Sequence, residues 1–226
     1  MAVDDPAAPT EPPAVPRRLA VVVAAATARG GAPPGVDPGA FAAACLADTY
    51  EVVADLVGVT SGIAGDGPGV ADLLWPGARQ LAGTRSVREL VTAVEADFDE
   101  VVLVPADVPD LPGLVLAKAF KALQRAHVCV APERGPGGGC AALGLRVPWP
   151  PWLPEDLDLD HDPRETLQSM TPQRGLVASA PDWHRMRTVT AVQRLDPNLE
   201  GWETTRALLS GRPLGSSAGT RPGTAP

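Results

Sequence analysis

Three stretches of the chain carry residue types able to do chemistry on a ligand. The first is VVLVPADVPDLPG, residues 101–113, where four apolar residues stop at Pro105 and two carboxylates, Asp107 and Asp110, follow. A carboxylate just past the carboxyl end of a buried strand suits Mg²⁺ or Mn²⁺, hard cations that favour oxygen ligands and bridge to phosphate. The rival reading is helix capping, and Asp110 before Leu-Pro suits an N-cap. The second is ERGPGGGCAALGL, residues 133–145, with consecutive Gly137, Gly138 and Gly139. Such a run lets backbone N–H groups approach phosphate or ribose oxygens, although a flexible hairpin reads the same way. The third is AVQRLDPNLEGWETTRALL, where Asp196 ends an expected strand ahead of the last helix. It reads as a metal ligand or as a turn formed with Pro197 and Asn198.

Other chemistry is poorly provided for. No HExxH occurs, no serine of the expected domain carries a GxSxG elbow, and no Gly-Lys-Ser/Thr follows the glycines. Cys45, Cys129 and Cys140 are scattered, so they read as buried small hydrophobes. His127 reads as structural, and neither His161 nor His184 has a partner at zinc-ligand spacing. The acidic run from Glu155 to Asp162 lacks the central glycine of a calcium loop and reads as a solvated loop. Trp149 and Trp152, in WPPW, read as proline-rich packing.

The totals set limits. A chain of 226 residues with 45% apolar content suits one domain with a full core. The formal charge of −8 and the lack of a basic run argue against a nucleic-acid or anionic-membrane binder. An apolar run of eighteen is missing, and the acidic, proline-rich start has the wrong order for a secretory signal, so the cytoplasm is the expected location. Residues 1–16 read as a disordered leader, 17–211 as the domain and 212–226 as a disordered tail.

Elements must place these residues. LAVVVAAA (19–26), VGVTSGIA (57–64), EVVLVPAD (100–107), HVCVAPE (127–133), CAALGLRV (140–147) and RTVTAVQRL (187–195) read as strands. Helical patterns fall between them. One begins at Asp37 as N-cap with Pro38 at the first helical position, one spans 85–97 with Thr84 or Ser86 as cap, and others span 114–126 and 198–211. The alternation predicts an α/β single domain, a mainly parallel sheet flanked by helices, with ligands beyond the carboxyl ends of the strands.

Taken in order, the stretches resemble the glycosyltransferase-A-like transferases of an uncharacterised bacterial group associated with radical-SAM and selenoprotein-related domains. ACLADTY (44–50) is similar to that group's Leu-Asp-Thr element, and VPADVPDLP (104–112) to its Asp-x-Pro-x-Leu element through Asp107, Pro109 and Leu111. VAPERGPGGGCAALGLRVP (130–148) shares the Gly138-Gly139 pair and the Leu143-Gly144-Leu145 ending, and RLDPNLEGW keeps Asp196. The resemblance covers roughly residues 19–210 and implies a nucleotide-diphospho-sugar transferase fold. It implies that Asp107 holds Mg²⁺ or Mn²⁺ on a diphosphate, with Asp196 assisting metal or acceptor as the second catalytic and metal-binding carboxylate. The first loop, with Arg29, Gly30 and Gly31, would meet the nucleotide, and Gly137–Gly139 the sugar or acceptor. Two departures stand out: the first loop, TARGGAPPGVDP, offers only Arg29 where the group carries several cations, and Gly137 replaces an acid.

The expected function is metal-dependent transfer from a nucleotide-diphosphate-sugar. Nucleotidyl transfer from a nucleoside triphosphate, of the guanylyltransferase kind, is one alternative. A catalytically degenerate binding or scaffold domain of the same fold is the other. Glu133 and Asp110 are the candidate general bases.

Overall fold

The computed structural model describes residues 15–24, 26–66, 69–83, 86–135 and 138–211, so most of the expected leader and all of the expected tail lie outside them. Among these residues seven strands form one sheet in the order β3-β2-β1-β4-β6-β5-β7. They are β1 (Arg18–Val23), β2 (Thr60–Ala64), β3 (Arg79–Leu81), β4 (Glu100–Pro105), β5 (Val128–Pro132), β6 (Cys140–Arg146) and β7 (Val177–Ser179). All neighbouring pairs are parallel except those of β6, which runs antiparallel to both β4 and β5. The fold is thus a single α/β domain with a mostly parallel mixed sheet. β4 and β5 consequently point the same way, and Glu133 and Gly139 lie at the same sheet edge as Asp107.

Among the described residues six helices, α1 (Pro38–Ala54), α2 (Val70–Leu73), α3 (Val87–Val94), α4 (Gly113–Leu123), α5 (Arg164–Met170) and α6 (Glu203–Leu209), accompany the sheet. Local chemistry starts α1 and α3 where the sequence reads. The Asp37 carboxylate accepts the Ala40 amide at 2.7 Å, and the Ser86 hydroxyl accepts the Glu89 amide at 3.1 Å. In α3 the buried residues Val87, Leu90, Val91 and Val94 fall three, four and seven positions apart, one helical face.

Strand alternation divides the core. Ala20, Val22, Val102 and Val104 face Tyr50 and Val53 of α1 and Leu116 and Phe120 of α4. Leu19, Val21, Val101 and Leu103 face α3 together with Leu157, Leu159 and Leu167. A third, smaller cluster of Phe41, Cys45, Met186, Ala191, Leu195 and Trp202 seals the outer end of α1.

Several sequence expectations are corrected. The run 187–195 is no strand: Val189–Arg194 forms a 3-10 turn. Its β-branched residues favour a strand, but the packing of Ala191 and Leu195, four apart, into the third cluster overrides that preference. Asp196 therefore does not end a strand. The last helix begins at Glu203, not 198, and β3, β7, α2 and α5 are too short to leave a periodic signal. Asp110 does not cap α4, whose N-cap is Pro112 without a side-chain bond.

Candidate functional site

Register puts three carboxyl ends in one row, with Val23 of β1 opposite both Ala64 of β2 and Pro105 of β4. The Ala24 amide donates to the Ala64 carbonyl and the Ala106 amide to the Val23 carbonyl, extending the row past the strands. Above it opens a cavity of about 350 Å³, walled by Val23, Ala24, Gly65 and Pro105, by Ser86 and Leu90 at the start of α3, and by Asp156, Asp158, Asp160 and Arg185 opposite. Gly65, at φ +144°, has no room for a side chain, since a Cβ there would lie 2.9 Å from that of Ala24.

An ionic chain adjoins the cavity and reaches its wall at Arg185 and Asp160. Arg185 is fully buried; its Nε donates to Oδ1 of Asp107 at 2.7 Å and its Nη2 to Oδ2 at 3.0 Å, a bidentate pair. Its Nη1 donates to the Leu159 carbonyl at 2.6 Å, and Nη2 also lies 3.0 Å from the Asp160 carboxylate. Arg187 pairs with Asp160 and, at 3.3 Å, with Glu133. Glu133 in turn accepts the Gly139 amide at 3.2 Å, while its own amide donates to the Gly139 carbonyl at 2.7 Å. Burial works against a charged guanidinium at Arg185, yet the carboxylates of Asp107, Asp160 and Glu133 hold its pKa above the ordinary value. Burial likewise opposes ionisation of Asp160, but Arg187 and Arg185 hold its carboxyl below the usual range.

Backbone contacts fix this ionic chain. The Met186 amide donates to the Asp107 carbonyl at 2.7 Å, and the Thr49 hydroxyl donates to the Ala106 carbonyl at 3.3 Å. The sequence His-Arg-Met-Arg alternates its side chains, so that Arg185 and Arg187 enter the ionic chain while Met186 enters the third core cluster. Asp48 serves another element: its two oxygens accept the amides of Thr204 at 2.9 Å and Thr205 at 2.7 Å, capping α6 from α1. The Ala-Asp-Thr stretch is thus structural on both counts.

The expected site residues are distributed as follows. Asp107 stands at the sheet's rim as expected, but wholly buried against Arg185. Asp196 is exposed, and its Oδ1 accepts the Asn198 amide at 2.8 Å, which is the turn reading. Arg29 is exposed in the 3-10 turn Ala26–Gly31. Gly30 and Gly31 lie against the 186–187 backbone, where a Cβ on Gly31 would sit 2.0 Å from the Met186 carbonyl oxygen. Gly138 takes a left-handed conformation at φ +67°, Gly139 packs on Leu159 and Arg185, and Gly137 lies outside the described residues. Asp110 accepts the Trp183 indole N–H at 3.1 Å and stands 3.0 Å from Nε2 of His184, both buried. The acidic loop is only partly solvated, since Leu157 and Leu159 are buried and Asp160 joins the ionic chain. Trp149 and Trp152 pack on the core, as read.

Arg185, Arg187 and Asp160 are what sequence reasoning missed. The signal available was the alternation Arg-Met-Arg at 185–187, with nothing in the nearby sequence to pair it with Asp107.

The residues do not fit the divalent ion that the resemblance implies. Both oxygens of Asp107 face a guanidinium, Asp196 is bonded within its own turn, and no group of three His, Cys, Asp or Glu able to hold a metal occurs among the described residues. Thiol chemistry fares no better. All three cysteines are free and buried; burial pushes the Cys129 thiol up to about 11, the Cys140 thiol up to about 12 and Cys45 higher still. Among the described residues no helix is long and apolar enough to cross a membrane.

Comparison with known proteins agrees with this architecture. Residues 77–159 match the model of a family described as an uncharacterized protein conserved in bacteria (DUF2064), a span holding both VPADVPDLP and GPGGGCAALGL. No curated protein matches the sequence. A protein of Desulfovibrio desulfuricans put forward as a nucleotide-diphospho-sugar transferase superposes with a TM-score of 0.59 at 21% identity, covering 85% of this chain and 96% of that one. The 4-diphosphocytidyl-2C-methyl-D-erythritol synthase of Anaerococcus prevotii gives 0.55 at 10% identity, covering 79% and 96%. A Mycobacterium tuberculosis protein crystallised in complex with manganese gives 0.51 at 15% identity, covering 82% and 100%. The fold is that of the nucleotide-diphospho-sugar transferases, as the resemblance implied.

Proposed function

We propose that this protein binds a nucleotide, as a nucleoside diphosphate, its sugar conjugate or a nucleoside triphosphate, in the cavity over β1, β2 and β4, and acts as a transferase of the corresponding class. The observation that carries this is the cavity itself: about 350 Å³ at the carboxyl ends of three parallel strands, of a size for a base with its ribose. Arg29, exposed just beyond β1, would meet the phosphates, with the neighbouring Gly30 and Gly31 shaping the turn. The loop of Gly137, Gly138 and Gly139 would border the sugar or acceptor. Asp107 would act by holding Arg185, and Asp196 by shaping the turn before α6. A cytoplasmic location belongs to the same reading.

The solved structures of this fold include one put forward as a nucleotide-diphospho-sugar transferase and a 4-diphosphocytidyl-2C-methyl-D-erythritol synthase, so sugar transfer and nucleotidyl transfer both stay within the proposal. A second reading, a domain that holds its ligand without turning it over, is favoured by one observation. The carboxylate at the centre of the rim is enclosed and already neutralised.

The test is calorimetric titration of the purified protein with CDP, UDP and GDP, their sugar conjugates and the triphosphates. Binding is expected for at least one of them, and it should be lost in Ala24→Phe, which adds a ring at an exposed position of the cavity wall. Affinity weaker than about 1 mM for all of them would sink the proposal. Release of nucleoside diphosphate from a conjugate marks sugar transfer, release of pyrophosphate marks nucleotidyl transfer, and binding without either marks the second reading.

A further inference from the structure

We infer that Arg185 is a built-in replacement for the divalent cation at this rim, so that the site beside Asp107 excludes a metal and the cavity takes its ligand without one. The part about the ligand rests on the nucleotide reading above; the exclusion of a metal rests on the ionic chain alone.

Three observations carry the inference. The first is charge: the guanidinium of Arg185 serves Asp107 with two hydrogen bonds and Asp160 with a contact of 3.0 Å, neutralising the carboxylates a cation would need. The second is space. A single carbon added at Gly139 would lie 2.9 Å from Nη1 of Arg185, 2.8 Å from the Leu159 oxygen and 3.1 Å from Glu133, so on this side of the guanidinium there is no volume for a second cation and its oxygen shell at about 2.1 Å. The third is permanence. A guanidinium does not lose its proton in a protein and, unlike a metal ion, cannot be chelated away. Arg187, bound to both Asp160 and Glu133, adds a second positive charge to the chain.

Mn²⁺ is the probe, added to the full-length, ¹⁵N-labelled protein while amide signals are followed. Paramagnetic broadening reports where the ion sits, so binding to exposed carboxylates elsewhere is not confused with binding at the rim. The Asp107, Gly139 and Met186 amides are expected to keep their intensity up to about 1 mM Mn²⁺. In Arg185→Met, which removes the charge and keeps an unbranched side chain, the same amides are expected to broaden, because Asp107 and Asp160 then lack their shared cation. Broadening of these amides in the unaltered protein at tens of micromolar Mn²⁺ overturns the inference. That measurement decides the matter even if the methionine variant fails to fold.

Nucleotide affinity supplies the second arm. It is expected to stay within about twofold between excess EDTA and Mn²⁺, whereas a loss of more than about tenfold in EDTA overturns the inference. A protein that binds no nucleotide, yet whose rim amides ignore Mn²⁺, defeats the nucleotide reading and supports the assignment of Arg185.

Discussion

Asp160 stands half-exposed between two guanidiniums, and its ionisation is tied to them. Its carboxyl titrates below the ordinary range because Arg187 and Arg185 outweigh the cost of burial. The sign follows from linkage. A lowered folded-state pKa contributes stability that is fully present above the unfolded-state value, about 3.9, and is lost as the pH falls through the folded-state value. Thermal melts between pH 7 and pH 3 should therefore show an acid limb that Asp160→Asn flattens, with the two proteins converging at the acid end. The thiols make a second prediction at this scale. Since Cys45, Cys129 and Cys140 are buried with raised pKa values, a thiol reagent such as DTNB should find none of them in the native protein and all three in denaturant. The pairing of Arg185 with Asp107 was beyond reach at this scale in the sequence alone. Asp107 was legible as a rim carboxylate because its strand is local, but its partner lies 78 positions away and only the folded chain joins them.

Elements are joined by two contacts that substitutions can probe. α6 is a seven-residue helix whose N-cap, Trp202, makes no side-chain bond; its free amides are taken by Asp48 of α1 instead. Asp48→Ala should cost about 2 kcal/mol, the combined loss of a cap and of two charge-assisted hydrogen bonds, and should reduce hydrogen-exchange protection in α6 before any other helix. The 3-10 turn after β1 is seated against the 186–187 backbone by Gly31, where even a methyl group would overlap the Met186 carbonyl. Gly31→Ala should cost about 1–3 kcal/mol in denaturant melts, because backbone rather than a flexible side chain has to move. The sequence disclosed elements where the signal was local. The Asp37 and Ser86 caps, the α3 face and the greasy run of β4 were all readable. It misled over 187–195, where β-branched residues are laid down as a turn to satisfy a cluster contributed by α1 and α6.

At the scale of the whole molecule, alternation of strand and helix announced the α/β class and the edge where ligands collect, since both follow from chirality and connection rules rather than from particular contacts. The antiparallel insertion of β6 was not legible. A strand buried on both faces has the same composition whichever way it runs, and only its short connection from β5 gives the direction. That insertion brings Glu133 and Gly139 beside the rim, so the arrangement of the ionic chain depends on it. Both outermost strands, β3 and β7, are only three residues long. A sheet finished so briefly offers another chain almost no ladder to extend, which guards a concentrated solution against stacking into fibres. Any self-association of this protein would have to proceed through side-chain surfaces, leaving the backbone seams closed.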